Sequence, residues 1–129
     1  MPNEASPLRV LIVDDESLIC WSLAEVLGEC GEVVAHAGDG EAAIRVLADA
    51  PEPDVVLLDY ELPDSHDLCL LSTVRRLAPH SRVVLMSAFC TPEIANQAIA
   101  LGACRVVSKP IDMHDVPELV REAAGSHTH

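Results

Sequence analysis

Five short stretches of the chain, residues 8–13, 32–37, 54–58, 82–86 and 104–108, are largely apolar and rich in β-branched residues. Each is too short for a helix, and each is followed by a longer stretch with apolar residues three and four apart. The pattern predicts strand then helix, five times over. In the first helix Ile19, Leu23, Val26, Leu27 and Cys30 share a face, with Gly31 just past its end as a C-cap. The second, opened by Asp39, groups Ala43, Leu47 and Ala50 and stops before Pro51. The third carries Leu68, Leu71, Val74 and Ala78 and ends at Pro79. Thr91 as N-cap and Pro92 at the first helical position open the fourth, which aligns Ile94, Ala98 and Leu101 and closes at Gly102. In the fifth, Asp112 or Asp115 is the cap, Pro117 falls in the first turn, and Leu119, Val120 and Ala123 form the buried stripe.

Alternating strands and helices give right-handed βαβ units and a parallel sheet. An α/β doubly wound five-stranded sheet in the order 2-1-3-4-5 is the natural arrangement at this length. With no linker or composition shift inside it, residues 8–124 form one domain. Residues 1–7 and 125–129 are expected to be disordered.

Composition narrows the function. Of 129 residues, 50% are hydrophobic, yet the only aromatics are Trp21, Tyr60 and Phe89, so the core must be aliphatic. The formal net charge of -13 opposes direct binding to nucleic acid or to an anionic membrane surface. Cys20, Cys30, Cys69, Cys90 and Cys104 lie in apolar segments without a CxxC pair, and read as reduced core residues of a cytoplasmic protein. The apolar runs are too short to span a bilayer, and residues 1–7 are too short and polar for a signal peptide.

The chemistry gathers where the strands end. In an open parallel sheet the ligand site lies beyond the carboxyl ends of the strands. The first strand leads into Asp14 and Asp15, the third into Asp59, the fourth into Ser87, and the fifth into Lys109 and Pro110. At about 4 Å and an effective dielectric of 20, each carboxylate pair costs on the order of 4 kcal/mol. A hard divalent cation would offset this, and Mg²⁺ suits a site with few protein ligands whose remaining positions are filled by water. Asp59 has the chemistry of a carboxylate nucleophile, Lys109 and the cation would neutralise a transferred phosphoryl group, and Ser87 offers it a hydroxyl donor. No nucleotide-binding loop is present, so the donor should be a small or protein-borne phosphoryl compound.

The segments LIVDDE, VVLLDYELPD, VVLMSA and VVSKP resemble the signatures of bacterial two-component response-regulator receiver domains, over nearly the whole chain. The resemblance implies a flavodoxin-like (βα)5 fold, with phosphorylation of Asp59 by a sensor histidine kinase or phosphotransfer protein. It implies that Asp15 and Asp59 ligate Mg²⁺ directly, Asp14 mainly through water, and Glu61 through its backbone carbonyl. Ser87 and Lys109 would hold the phosphoryl group, with a cis peptide before Pro110. It further implies a switched surface over residues 91–124 for homodimerisation or for a downstream output domain. The stretch ESLICWSL is similar to the first helix of receivers attached to enhancer-binding transcription activators.

Three positions depart from the family pattern. Val106 stands where many receivers carry an aromatic residue that rotates inward on activation, leaving the inward pull of the loop to Ser87. The loop after Pro63 reads Asp64-Ser65-His66-Asp67 where glycine is common. Glu61 and Phe89 occupy positions that govern how water reaches the phosphoryl group, so both are expected to set its lifetime.

Two other functions compete with the switch, which would catalyse only its own phosphorylation and dephosphorylation. An aspartyl-phosphate hydrolase would want a second aspartic acid two residues after its nucleophile, where this chain has Glu61, and a cap domain. An interaction module independent of phosphorylation would not need the acidic set. Cys90 has no cationic neighbour in sequence to activate it, His66 reads as a solvated loop residue, and Trp21 as packing. His127 and His129 read as no more than adventitious metal ligands.

Overall fold

The computed structural model describes residues 7–49, 51–64 and 68–125. The elements run β1 (Arg9–Val13), α1 (Ser17–Glu29), β2 (Val33–Ala37), α2 (Gly40–Asp49), β3 (Val55–Asp59), α3 (Cys69–Leu77), β4 (Arg82–Ser87), α4 (Pro92–Ala100), β5 (Arg105–Ser108), a 3-10 turn (Met113–Asp115) and α5 (Val116–Gly125). All strand pairs are parallel and the sheet order is β2-β1-β3-β4-β5, as the alternating pattern predicts. Ala50, His66 and the rest of loop 65–67, and both termini with His127 and His129, lie outside the described residues.

The sheet is covered on both faces, which is why its central strands read as continuous apolar runs. Every residue of β3 is buried. Alternate side chains serve opposite cores. Leu11, Val13, Val56, Leu58, Val83 and Leu85 join the cluster under α2, α3 and α4. Val10, Ile12, Val55, Leu57, Val84 and Met86 join the one under α1 and α5. The edge strands β2 and β5 are mostly half-buried or exposed.

Strand boundaries shift by a residue for identifiable reasons. Glu32 and Asp54 lie just before β2 and β3, and their carboxylates accept hydrogen bonds from the Leu8 and Arg9 N–H groups at 2.8 Å. At the other end, pairing of Asp59 with Met86 and of Ser87 with Ser108 carries β3 and β4 one residue further, to the site residues themselves.

The helix signals hold where a cap fixes them. Thr91 Oγ1 accepts from the Ile94 N–H at 3.2 Å with Pro92 in the first turn, Asp39 accepts from Ala42, and Asp112 accepts from His114. Gly31 and Gly102 adopt φ of +88° and +110° just past α1 and α4. At Gly102 the conformation favours glycine, and a Cβ there would stand 2.7 Å from Arg75 Nε, so that the arginine side chain would have to shift.

Several burial expectations fail. Cys20 is the one fully buried cysteine; Cys30, Cys69 and Cys104 are exposed and Cys90 is intermediate, so these four are not core residues. Cys30 is the C-cap of α1, past the turn where its stripe faces the sheet. Leu101 likewise follows the end of α4 and stays 42% exposed, while Leu70 joins Leu71 and Val74 on the buried face of α3. Trp21 is 62% exposed instead of packed in the core. Val106 is half-buried against the core under α4.

Candidate functional site

The site is built at the carboxyl ends of β1, β3, β4 and β5, on either side of the central crossover. Asp14 follows β1, and its backbone N–H donates to the Ala37 carbonyl at 3.0 Å, locking the end of β1 to β2. Asp14 Oδ1 accepts from the Glu16 N–H at 3.0 Å, which turns the chain into α1. Asp15 is exposed beside it. Asp59 ends β3 and is buried; its Oδ1 accepts from the Glu61 N–H at 3.1 Å. Asp14, Asp15 and Asp59 can each offer a carboxylate oxygen such that all three atoms lie within 4.8 Å of one another.

Among the described residues one cation reaches this cluster. Lys109 Nζ lies 3.0 Å from Asp59 Oδ1 and 3.3 Å from Asp14 Oδ2. It is delivered by β5 and by the Lys109 N–H, which donates to the Ser87 carbonyl at 2.9 Å. The peptide to Pro110 is cis, as the resemblance implies. One ammonium cannot neutralise three carboxylates. Burial pushes the Asp59 carboxyl up from an ordinary 3.8 to about 6, the hydrogen bond from Lys109 pulls it down, and the Asp14 charge raises it again. Burial works against the Lys109 ammonium, but Asp59 and Asp14 outweigh it and hold its pKa above the usual value. The same electronegative setting acts on Cys20, whose thiol donates to the Asp14 carbonyl at 3.2 Å; burial first, then the Asp14 charge, push it up to about 11. That thiol stays protonated and inert near neutral pH.

The donor set fits a hard cation. Asp14 Oδ2 is buried without a hydrogen-bond partner, its contact with Lys109 being an ion pair without hydrogen-bond alignment. A buried lone pair left this way is costly, and a divalent ion among oxygen ligands would satisfy it. Trp21 lines a cavity of about 430 Å³ that borders Asp14 and Asp15, so this exposed ring stands at the rim of the acidic site.

Ser87 is fully buried at the end of β4 and joins the site through Glu61, whose side chain was expected beside the phosphoryl group but not on Ser87. Its hydroxyl donates to Glu61 Oε2 at 2.7 Å, and Glu61 Oε1 accepts from the Ala88 N–H at 3.1 Å. Ser87 Oγ also accepts from the Phe89 N–H at 3.1 Å, while the Phe89 ring is 75% exposed. Asp64, read from the sequence only as part of a turn, takes a role that was not foreseen. Its carboxylate accepts from the Gly40 and Glu41 N–H groups at 2.9 and 3.2 Å, so the loop leaving Asp59 is tied to the N-terminus of α2. No residue other than glycine has positive φ among the described residues, so the described part of this loop turns without a strained backbone.

A five-stranded doubly wound sheet carries an acidic triad and a lysine at its carboxyl edge, and comparison with known proteins gives the class. The family model for the response regulator receiver domain matches residues 10–121, and the chain belongs to that family, the receiver domains of two-component response regulators.

Among relatives, the chain is 38% identical over 117 residues to the transcriptional regulatory protein PdtaR of Mycobacterium tuberculosis, covering 88% of this chain and 55% of that protein. It is 31% identical to the chemotaxis protein CheY of Treponema pallidum, covering 92% of this chain and 83% of that one. In structure it is similar to a CheY-like receiver domain protein from Methanospirillum hungatei, with a TM-score of 0.87 at 25% identity over 94% of this chain and 96% of that chain. The chain thus spans about half the length of PdtaR. Among the described residues no helix is long and apolar enough to cross a membrane.

Proposed function

We propose that this chain is a Mg²⁺-dependent phosphoacceptor switch that takes its phosphoryl group on Asp59. The observation that carries the reading is the convergence of three carboxylate oxygens within 4.8 Å, with the buried Asp59 paired to the Lys109 ammonium at 3.0 Å. Asp14, Asp15 and Asp59, with the backbone carbonyl of Glu61, would hold the Mg²⁺. When bound, the cation supplies positive charge to the transferring group and relieves repulsion among the carboxylates.

In this reading an Asp59 oxygen attacks the phosphorus of a phosphohistidine on a sensor histidine kinase or phosphotransfer protein. The new P–O bond forms as the P–N bond breaks, and the released imidazole takes a proton from solvent. Lys109 stays protonated and draws the equatorial oxygens, and the Ser87 hydroxyl donates to one of them. The charge added at Asp59 then biases the segment following β4, and residues 91–124 form the surface read by a second copy or by an output domain. Residues 8–124 would be the functional unit, working in the cytoplasm, a setting that suits five cysteines without a CxxC pair. A hydrolase is disfavoured because the Glu61 carboxylate, its nearest analogue of a second acid, already accepts two hydrogen bonds.

Intact mass after incubation with acetyl phosphate tests the proposal. A single phosphoryl adduct is expected with Mg²⁺ present, lost on chelation and absent in Asp59→Asn. An adduct that persists in Asp59→Asn would place the acceptor elsewhere, and no adduct under any condition would leave a constitutive binding module.

A further inference from the structure

We propose that the Glu61 carboxylate is an internal stand-in for the phosphoryl group, occupying in the resting protein the donors that group must claim. The inference rests on Asp59 being the phosphoacceptor. A serine hydroxyl has a single proton to donate. Ser87 gives it to Glu61 Oε2 at 2.7 Å, and the orientation is fixed because Ser87 Oγ accepts from the Phe89 N–H on its other side. The Ala88 N–H, likewise a single donor, is taken by Glu61 Oε1 at 3.1 Å. A phosphoryl oxygen approaching Ser87 therefore meets a donor already engaged by an anion.

Phosphorylation becomes an exchange of one anion for another. Glu61 must release Ser87 and Ala88 and swing away, since two anions cannot share one proton and also repel each other. Glu61 is here a positioning residue. It holds the start of the segment between β4 and α4 in place before any signal arrives, and it opposes premature loading of Asp59. Its backbone is fixed to the acceptor itself, through the Glu61 N–H donating to Asp59 Oδ1 at 3.1 Å, so movement at Asp59 is passed directly to the latch.

Beryllofluoride, which mimics a phosphoryl group on a carboxylate, provides the test with the full chain at saturating Mg²⁺. Mg²⁺ affinity is measured separately for each protein. Glu61→Ala is expected to bind beryllofluoride at least tenfold tighter than wild type, and Glu61→Gln, which puts an NH₂ group in place of one of the two accepting oxygens, should fall between. In the resting Glu61→Ala protein the Ala88 and Phe89 amides should exchange with deuterium faster than in wild type, and beryllofluoride should restore their protection. A purely structural role would loosen the amides without tightening the ligand. Equal or weaker beryllofluoride affinity, with normal Mg²⁺ binding, would overturn the latch alone. If neither wild type nor Glu61→Ala bound beryllofluoride while both bound Mg²⁺, the assignment of Asp59 would fall and the latch with it.

Discussion

Asp59 is the residue at which folding and chemistry oppose each other. Its carboxyl is buried against Asp14 and raised to about 6, although Lys109 is only 3.0 Å away. A carboxyl raised above its unfolded value lets the folded state bind more protons between the two pKa values, here from 3.8 to about 6. Stability of the metal-free protein is therefore greatest below this window and declines as pH rises through it, by about 2–3 kcal/mol from this group. Asp59→Asn removes the titration. In chelator the variant should melt above wild type at pH 7, and the two should converge as pH falls toward 4. Melting curves that ran parallel across that range would show the Asp59 charge to be tolerated in the fold. The sequence placed Asp59 with Asp14, Asp15 and Lys109 at the strand ends, but its burial, and with it the raised pKa, was not visible there.

At the level of elements, the loop after Asp59 is stabilised by a contact between distant segments. Asp64 caps α2, with its carboxylate accepting from Gly40 and Glu41, while Gly40 leaves room for it; a Cβ there would stand 3.2 Å from Asp64 Oδ1. Asp64→Ala should cost about 1 kcal/mol, the usual value of a lost N-terminal cap, measured by urea denaturation. A change within error would mean that Asp39, which accepts from Ala42, caps the helix unaided. The sequence pattern correctly marked Asp39, because a cap three residues before its partner is local. It treated Asp64 only as a turn former, because a partner 24 residues away leaves no periodic trace. Local spacing also misplaced Cys30 and Leu101, which fit their helical stripes although the helices end before either residue reaches the sheet.

For the whole molecule, the acidic site and the global fold share one free-energy balance. A ligand that binds only the folded state stabilises it, by about 2.7 kcal/mol at a hundredfold excess over Kd. Saturating Mg²⁺ should raise the melting temperature of wild type, and Asp15→Asn, which alters an exposed member of the proposed ligand set without disturbing the core, should lose most of that shift. An undiminished shift would remove Asp15 from the ligand set. By itself the sequence determined the alternation of strand and helix, the sheet order, and the residues at each strand end. These follow from local periodicity and from the handedness of βαβ crossovers, which leave few arrangements for a chain of this length. The tertiary structure decided what no local rule reaches. It set which cysteine is buried, left Trp21 at the rim of the acidic cleft, raised the Asp59 pKa, and closed Glu61 onto Ser87 across 26 residues. Such facts depend on how neighbouring strands register and where each loop returns, and those distances exist only once the sheet has formed.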